Sequence, residues 1–129
     1  MLPEQIKANT FYSHTDEYAW QRSYVADAVE ALANHDYAIL GGEVWIVENG
    51  QILAVPRLRS GENSVIGWDT KEKEETETWN QFVLRTAKEA LAAIESLDAE
   101  EEVMPEVRSK VYYNLTFTNE QEYAELRVV

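Results

Sequence analysis

A chain of 129 residues without a cysteine is long enough for one domain with a sizeable core, and it excludes disulfides, thiolate metal sites and cysteine nucleophiles. Twenty-four acidic against eleven basic side chains give a net charge of −13, a field that repels nucleic acid phosphates and anionic membranes and attracts a basic partner. No secretory n-region and no apolar run near the ~20 residues of a membrane span can be read, so a single cytoplasmic domain over residues 1–129 is expected.

Residues 1–12 have no clear period and read as an arm packing through Ile6, Phe11 and Tyr12. Ser13 to Asp16 offer N-caps, and Asp16 and Glu17 suit a first helical turn. A helix is expected from Asp16 to Asn34, because Tyr18, Val25, Ala28, Val29 and Leu32 share one side of a 3.6-residue repeat. Trp20, Tyr24 and Ala31 make a second stripe, either a widened core face or a partner-contacting edge with Asp27 beside it. Asn34-His35-Asp36 supplies the stop.

Tyr37 to Pro56 carries the strongest local signal, two apolar runs joined by Asn49-Gly50. A type I′ turn needs φ > 0 at both central residues, which Asn-Gly provides. The expected register pairs Glu48 with Gln51, Val47 with Ile52, Ile46 with Leu53 and Trp45 with Ala54. Both faces of this hairpin are apolar, so it should lie in the middle of a covered sheet. Gly41-Gly42 marks a bulge or close backbone approach, and without a following Lys-Ser/Thr it is no phosphate loop. Pro56 ends central pairing, Arg57 and Arg59 form a small basic spot, Ser60 to Asn63 is a turn, and Ser64–Trp68 is a further short strand.

Asp69 to Thr78 is a charged connector, with Thr70, Thr76 or Thr78 as the cap of the following helix. In that helix Trp79, Phe82, Val83, Thr86, Ala90, Ala93, Ile94 and Leu97 recur at three- and four-residue spacing, with Gln81, Arg85, Lys88 and Glu95 opposite. It should stop near Ser96 to Asp98. A second acidic run, Asp98 to Glu102, follows, and Met104-Pro105 breaks any further helix. Lys110 to Thr118 alternates with period two, Val111, Tyr113, Leu115 and Phe117 on one side. Thr118 and Gln121 have capping-box spacing before a short last helix that packs Tyr123 and Leu126. The expected fold is α+β: an antiparallel four- or five-stranded sheet covered by two long amphipathic helices, with a short C-terminal helix.

Chemistry is sparse. His14 and His35 sit at helix boundaries and suit capping or surface roles rather than catalysis. The run from Asp69 lacks the alternating ligands and central glycine of an EF-hand, since Lys71 and Lys73 occupy ligand positions. No cofactor or metal site and no catalytic residue is assigned. Trp45, Trp68 and Trp79 lie in apolar patterns and read as core; Trp68, bracketed by Gly67 and Asp69, is also a candidate interface anchor.

Four segments in order, AILGGEVWIV, Gly67-Trp68, ETWNQFVLRTAKEALAAIE and VYYNLTFTNEQEY, resemble an immunity-protein family of bacterial polymorphic toxin systems across about residues 37–125. The resemblance implies a small α+β protein, not an enzyme, that binds a cognate toxin protein and spares the producing cell. It gives the charge a use, because toxins that attack nucleic acids are basic where they grip phosphate. On that reading Asp69, Glu72, Glu74 and Glu75, or Glu100, Glu101 and Glu102, form part of the toxin contact, with Trp68 as apolar anchor. Two other readings stay open, a small acidic enzyme with carboxylates converging in a cleft and a homodimeric module using the Trp20/Tyr24 stripe.

Overall fold

Asn49 and Gly50 have φ of 53° and 75°, so the turn takes the left-handed geometry its sequence demands. The computed structural model describes residues 4–7, 10–13, 16–54, 67–97 and 109–126. Its elements are α1 (Glu4–Lys7), β1 (Thr10–Tyr12), β2 (Tyr18–Trp20), α2 (Arg22–Asn34), β3 (Ala38–Glu48), β4 (Gln51–Ala54), β5 (Gly67–Asp69), α3 (Trp79–Leu97), β6 (Val111–Thr118) and α4 (Glu120–Leu126). The strands form an antiparallel sheet in the order β1-β2-β6-β3-β4, and β5 pairs with β3 beside β4.

The α+β class and the two covering helices stand as expected. The sheet has six strands among the described residues rather than four or five, because β1 and β2 come from the segments read as an arm and a helix start. The helix begins at Arg22, not Asp16. Tyr18 and Trp20 alternate on β2, where pairing with Leu115 and Tyr113 of β6 outweighs their helical spacing. Trp20 is 1% exposed and donates its indole N–H to the Ile6 carbonyl at 3.1 Å, which removes it from any surface stripe with Tyr24. Ile6 belongs to the core and Phe11 packs on Trp45, whereas Tyr12 is exposed.

β3 is the central strand. Val44 and Ile46 face the main core with Val25, Val29 and Leu32 of α2 and Ala90 and Ile94 of α3. Trp45 and Val47 face the other way, into a smaller cluster with Ala19, Phe11 and Tyr112. The expected two-sided burial is therefore realised on β3, while β4 is an edge strand with Ile52 exposed. The hairpin register holds at Glu48↔Gln51 and Val47↔Ile52, then slips: Ile46 pairs with Ala54, leaving Leu53 as an extra residue.

A second slip lies between β3 and β6, where Ile39 pairs with Phe117 and Gly41 with Thr116, so Leu40 is extra. The backbone groups beside this bulge find side-chain partners. The Ile39 N–H donates to Thr86 Oγ1 at 3.0 Å, and the Ile39 carbonyl accepts from Thr70 Oγ1 at 2.7 Å. Thr86 is thereby the buried polar residue of α3 with a reason to be there. The paired glycines serve a close approach. A Cβ on Gly42 would strike the Asn114 carbonyl and come within 2.8 Å of the Trp68 ring, and one on Gly41 would meet the Trp68 carbonyl at 2.6 Å.

α3 is capped by Thr78. Its hydroxyl accepts from the Gln81 N–H at 3.1 Å while Gln81 Oε1 accepts from the Thr78 N–H at 2.9 Å, a reciprocal capping box. α4 is capped instead by Asn119, whose Oδ1 accepts from the Glu122 N–H at 2.8 Å, one residue after the expected Thr118. Tyr123 packs on Trp79 and Phe82, but Leu126 is 64% exposed. His35 is the C-cap of α2. The expectations for His14, for Pro56 to Ile66, and for the run Asp98 to Pro105 lie outside the described residues. Among the described residues no helix is long and apolar enough to cross a membrane.

Two substitutions test the joint. Gly42→Ala should destabilise by about 1–3 kcal/mol through overlap with strand backbone. Thr86→Val should cost about 1–3 kcal/mol by stranding the Ile39 N–H. Urea unfolding of both variants against Gly67→Ala, whose added methyl would meet the Gly42 carbonyl at 3.3 Å, measures the difference.

Candidate functional site

The described acids are not spread evenly. β3 begins, β6 ends and β5 lies at one end of the sheet, and the β1–β2 turn and α4 meet them there. Two neighbouring depressions open at this end, of about 290 and 220 Å³, and they share Glu17 and Thr116. The first is walled by Tyr18, Tyr37 and Phe117 and carries Asp16, Glu17 and Glu122. The second runs over Gly41-Gly42 beside Trp68 and adds Glu43 and Asp69. Five carboxylates thus line one trough, and no lysine or arginine is among the described residues lining it.

Each carboxylate is placed by a local cause. Asp16 sits at φ 64°, a left-handed position that Asp tolerates, and accepts a hydrogen bond from the Tyr12 hydroxyl. That bond holds the Tyr12 proton and pushes its pKa up to about 12. The turn is closed by Ser13, which exchanges backbone and side-chain bonds with Glu17 at 2.8 and 3.2 Å. Glu43 accepts from the Trp45 indole at 2.8 Å, fixing the head of a half-buried side chain. Asp69 ends β5 opposite Gly41. Glu122 stands exposed in the first turn of α4, where the helix dipole favours an anion.

The expected site residues divide. Trp68 and Asp69 lie in the trough, Trp68 half-buried with its ring over Gly42 and packed on the main core. Glu72, Glu74 and Glu75 lie apart on the connector. Glu74 and Glu75 rim a third groove of about 330 Å³, floored by Trp79 and Tyr123, with Glu120 and Lys73 beside them. Glu100, Glu101 and Glu102 lie outside the described residues. Asp16, Glu17, Glu43 and Glu122 were not singled out from sequence. They come from three separate segments, with Asp16 and Glu17 expected only as a helix start, and the strand order brings them together.

The connector is not a free acidic run. Arg85, expected on the solvent side of α3, binds it down. Its Nε and Nη2 donate to the two Glu77 oxygens at 2.6 and 2.9 Å, and Nη1 donates to Glu89. Nη2 also reaches the Lys71 and Glu72 carbonyls, both at 3.1 Å, while the guanidinium lies over Phe82 at 5.4 Å. Glu89 then accepts from the Lys71 N–H and Glu77 from the Glu74 N–H, both at 2.9 Å. The Lys71–Glu74 pair is open to solvent and contributes little. Glu77 and Glu89 are therefore paired with Arg85 within the fold, whereas no lysine or arginine is among the described residues lining the trough.

Arg85 and the Glu74 N–H hold Glu77 well below the usual carboxylate range, at about 2. A carboxylate with a lowered folded pKa stabilises fully above its unfolded value near 4.5 and loses that contribution as pH falls through about 2. Unfolding midpoints measured from pH 5 to pH 2 should therefore fall less steeply for Glu77→Gln than for the parent. Arg85→Met should expose the Lys71 and Glu74 amides to exchange about tenfold faster, read by hydrogen exchange.

Among the described residues no group of three or more His, Asp or Glu is placed to hold a metal ion. The trough is an open acidic surface with half-buried aromatics along it. No curated protein and no solved structure matches the chain. A family model described as Immunity protein 40 matches residues 7–117, starting before and ending short of the stretch whose motifs carry the resemblance. With that match covering most of its length, the chain belongs to the Immunity protein 40 family.

Proposed function

We propose that this protein binds a cognate toxin domain through the acidic trough and so protects the cell that makes both. The observation that carries the reading is five carboxylates from four segments on one surface with no cation among the described residues lining it, in a chain of this family. A net charge of −13 extends the attraction beyond contact range and speeds encounter with a basic partner. Trp68, Tyr18 and Tyr37 supply apolar area between the acids, as the centre of a polar interface of about 1,600 Å² needs. Asp69 belongs to this surface. Glu72, Glu74 and Glu75 act as an outlying rim, since they stand on the connector apart from the trough, Glu74 and Glu75 beside a separate groove.

The test begins with capture of the partner from the native cell, using the tagged chain as bait, and with a demonstration that the chain blocks the partner's toxicity. Association is then followed by stopped flow at rising salt. Replacing Glu17, Asp69 and Glu122 by their amides should slow association about tenfold at low salt and flatten its salt dependence. Amides at Glu72, Glu74 and Glu75 should slow it about threefold or less. Equal rates for the parent and the trough variant at low salt would remove the trough from the contact.

A further inference from the structure

The depression walled by Tyr18, Tyr37 and Phe117 differs from the rest of the trough in being lined by aromatic rings. Phe117 meets Tyr37 edge to face, with centroids 5.4 Å apart at 83°, and Tyr18 at 5.8 Å. All three rings are half-buried, so each is held by the core and still presents area to the opening. Asp16 and Glu17 stand on one side from the β1–β2 turn, and Glu122 on the other from α4. The volume of about 290 Å³ has room for one side chain.

We propose that this depression is a socket for a single arginine side chain presented by the toxin. The inference rests on the toxin-binding reading and names the group that the surface selects. A guanidinium is planar and weakly hydrated. It can stack on an aromatic face while its N–H fork meets carboxylates, so it uses both kinds of wall at once. An ammonium is compact and strongly hydrated and would use the carboxylates with little gain from the rings. A lone apolar side chain would take water from the carboxylates and bring them no donor, which is unfavourable. The molecule already joins the same chemistry internally, where Arg85 lies over Phe82 between Glu77 and Glu89.

The test uses the full chain with N-acetyl-arginine amide and N-acetyl-lysine amide as probes, followed by NMR. Arginine amide should shift the ring signals of Tyr18, Tyr37 and Phe117 with millimolar affinity, and lysine amide should bind about threefold or more weakly. Glu17→Gln with Glu122→Gln, both at exposed positions, should abolish the shifts while leaving the folded spectrum intact. In complex with the captured toxin, Tyr37→Leu should weaken binding about tenfold, and Glu30→Gln on the exposed side of α2 should not. Shifts scattered over the surface, equal binding of both amides, or none with either would overturn the socket. That result alongside tight toxin binding refutes the socket alone. Arginine-selective shifts in a chain that captures and blocks no toxin refute the toxin reading alone.

Discussion

The bulge at Leu40, with the glycine pair that follows it, is the constraint on which the rest of the molecule depends. It turns the first residues of β3 out of simple register with β6. The backbone groups left beside it are taken by Thr86 from α3 and Thr70 from the connector. A strand, the longest helix and the loop between them are thereby tied at one place by buried hydrogen bonds, costly to leave unmade. The glycines then let Trp68 and Asp69 of β5 lie against the strand with no side chain between.

That joint also sets where the charge goes. Because β5 docks at the start of β3, Asp69 arrives beside Glu43. Because β2 pairs with the end of β6, the turn carrying Asp16 and Glu17 arrives on the other side of Thr116. α4 follows β6 directly and delivers Glu122. No lysine or arginine is among the described lining residues, and Asp16 and Glu43 are held there by the Tyr12 hydroxyl and the Trp45 indole. The connector shows the alternative, Glu77 held by the half-buried Arg85 and Glu74 beside Lys71.

The chain belongs to the Immunity protein 40 family. On the toxin-binding reading proposed above, fast encounter with a basic partner would matter more than a deep pocket, and an open acidic surface with half-buried aromatics would supply steering and contact area together. Within that surface one depression is built from rings as well as carboxylates, the combination on which the proposed arginine socket rests.

Much of the fold follows from local pattern. The Asn49-Gly50 turn, the stop at His35, the apolar face of α3 and the alternation of β6 need only neighbouring residues, and each formed as the sequence specifies. Where local signals competed, tertiary contact decided. Tyr18 and Trp20 fit a helical stripe, but β6 offered them a strand partner and the core took the indole. Arg85 looked like surface, but the folded connector gave it carboxylates and carbonyls. The total charge could be read from composition. The trough could not, because Asp16, Glu43, Asp69 and Glu122 are far apart in the chain and adjacent only once strand order, bulge and helix cap are fixed.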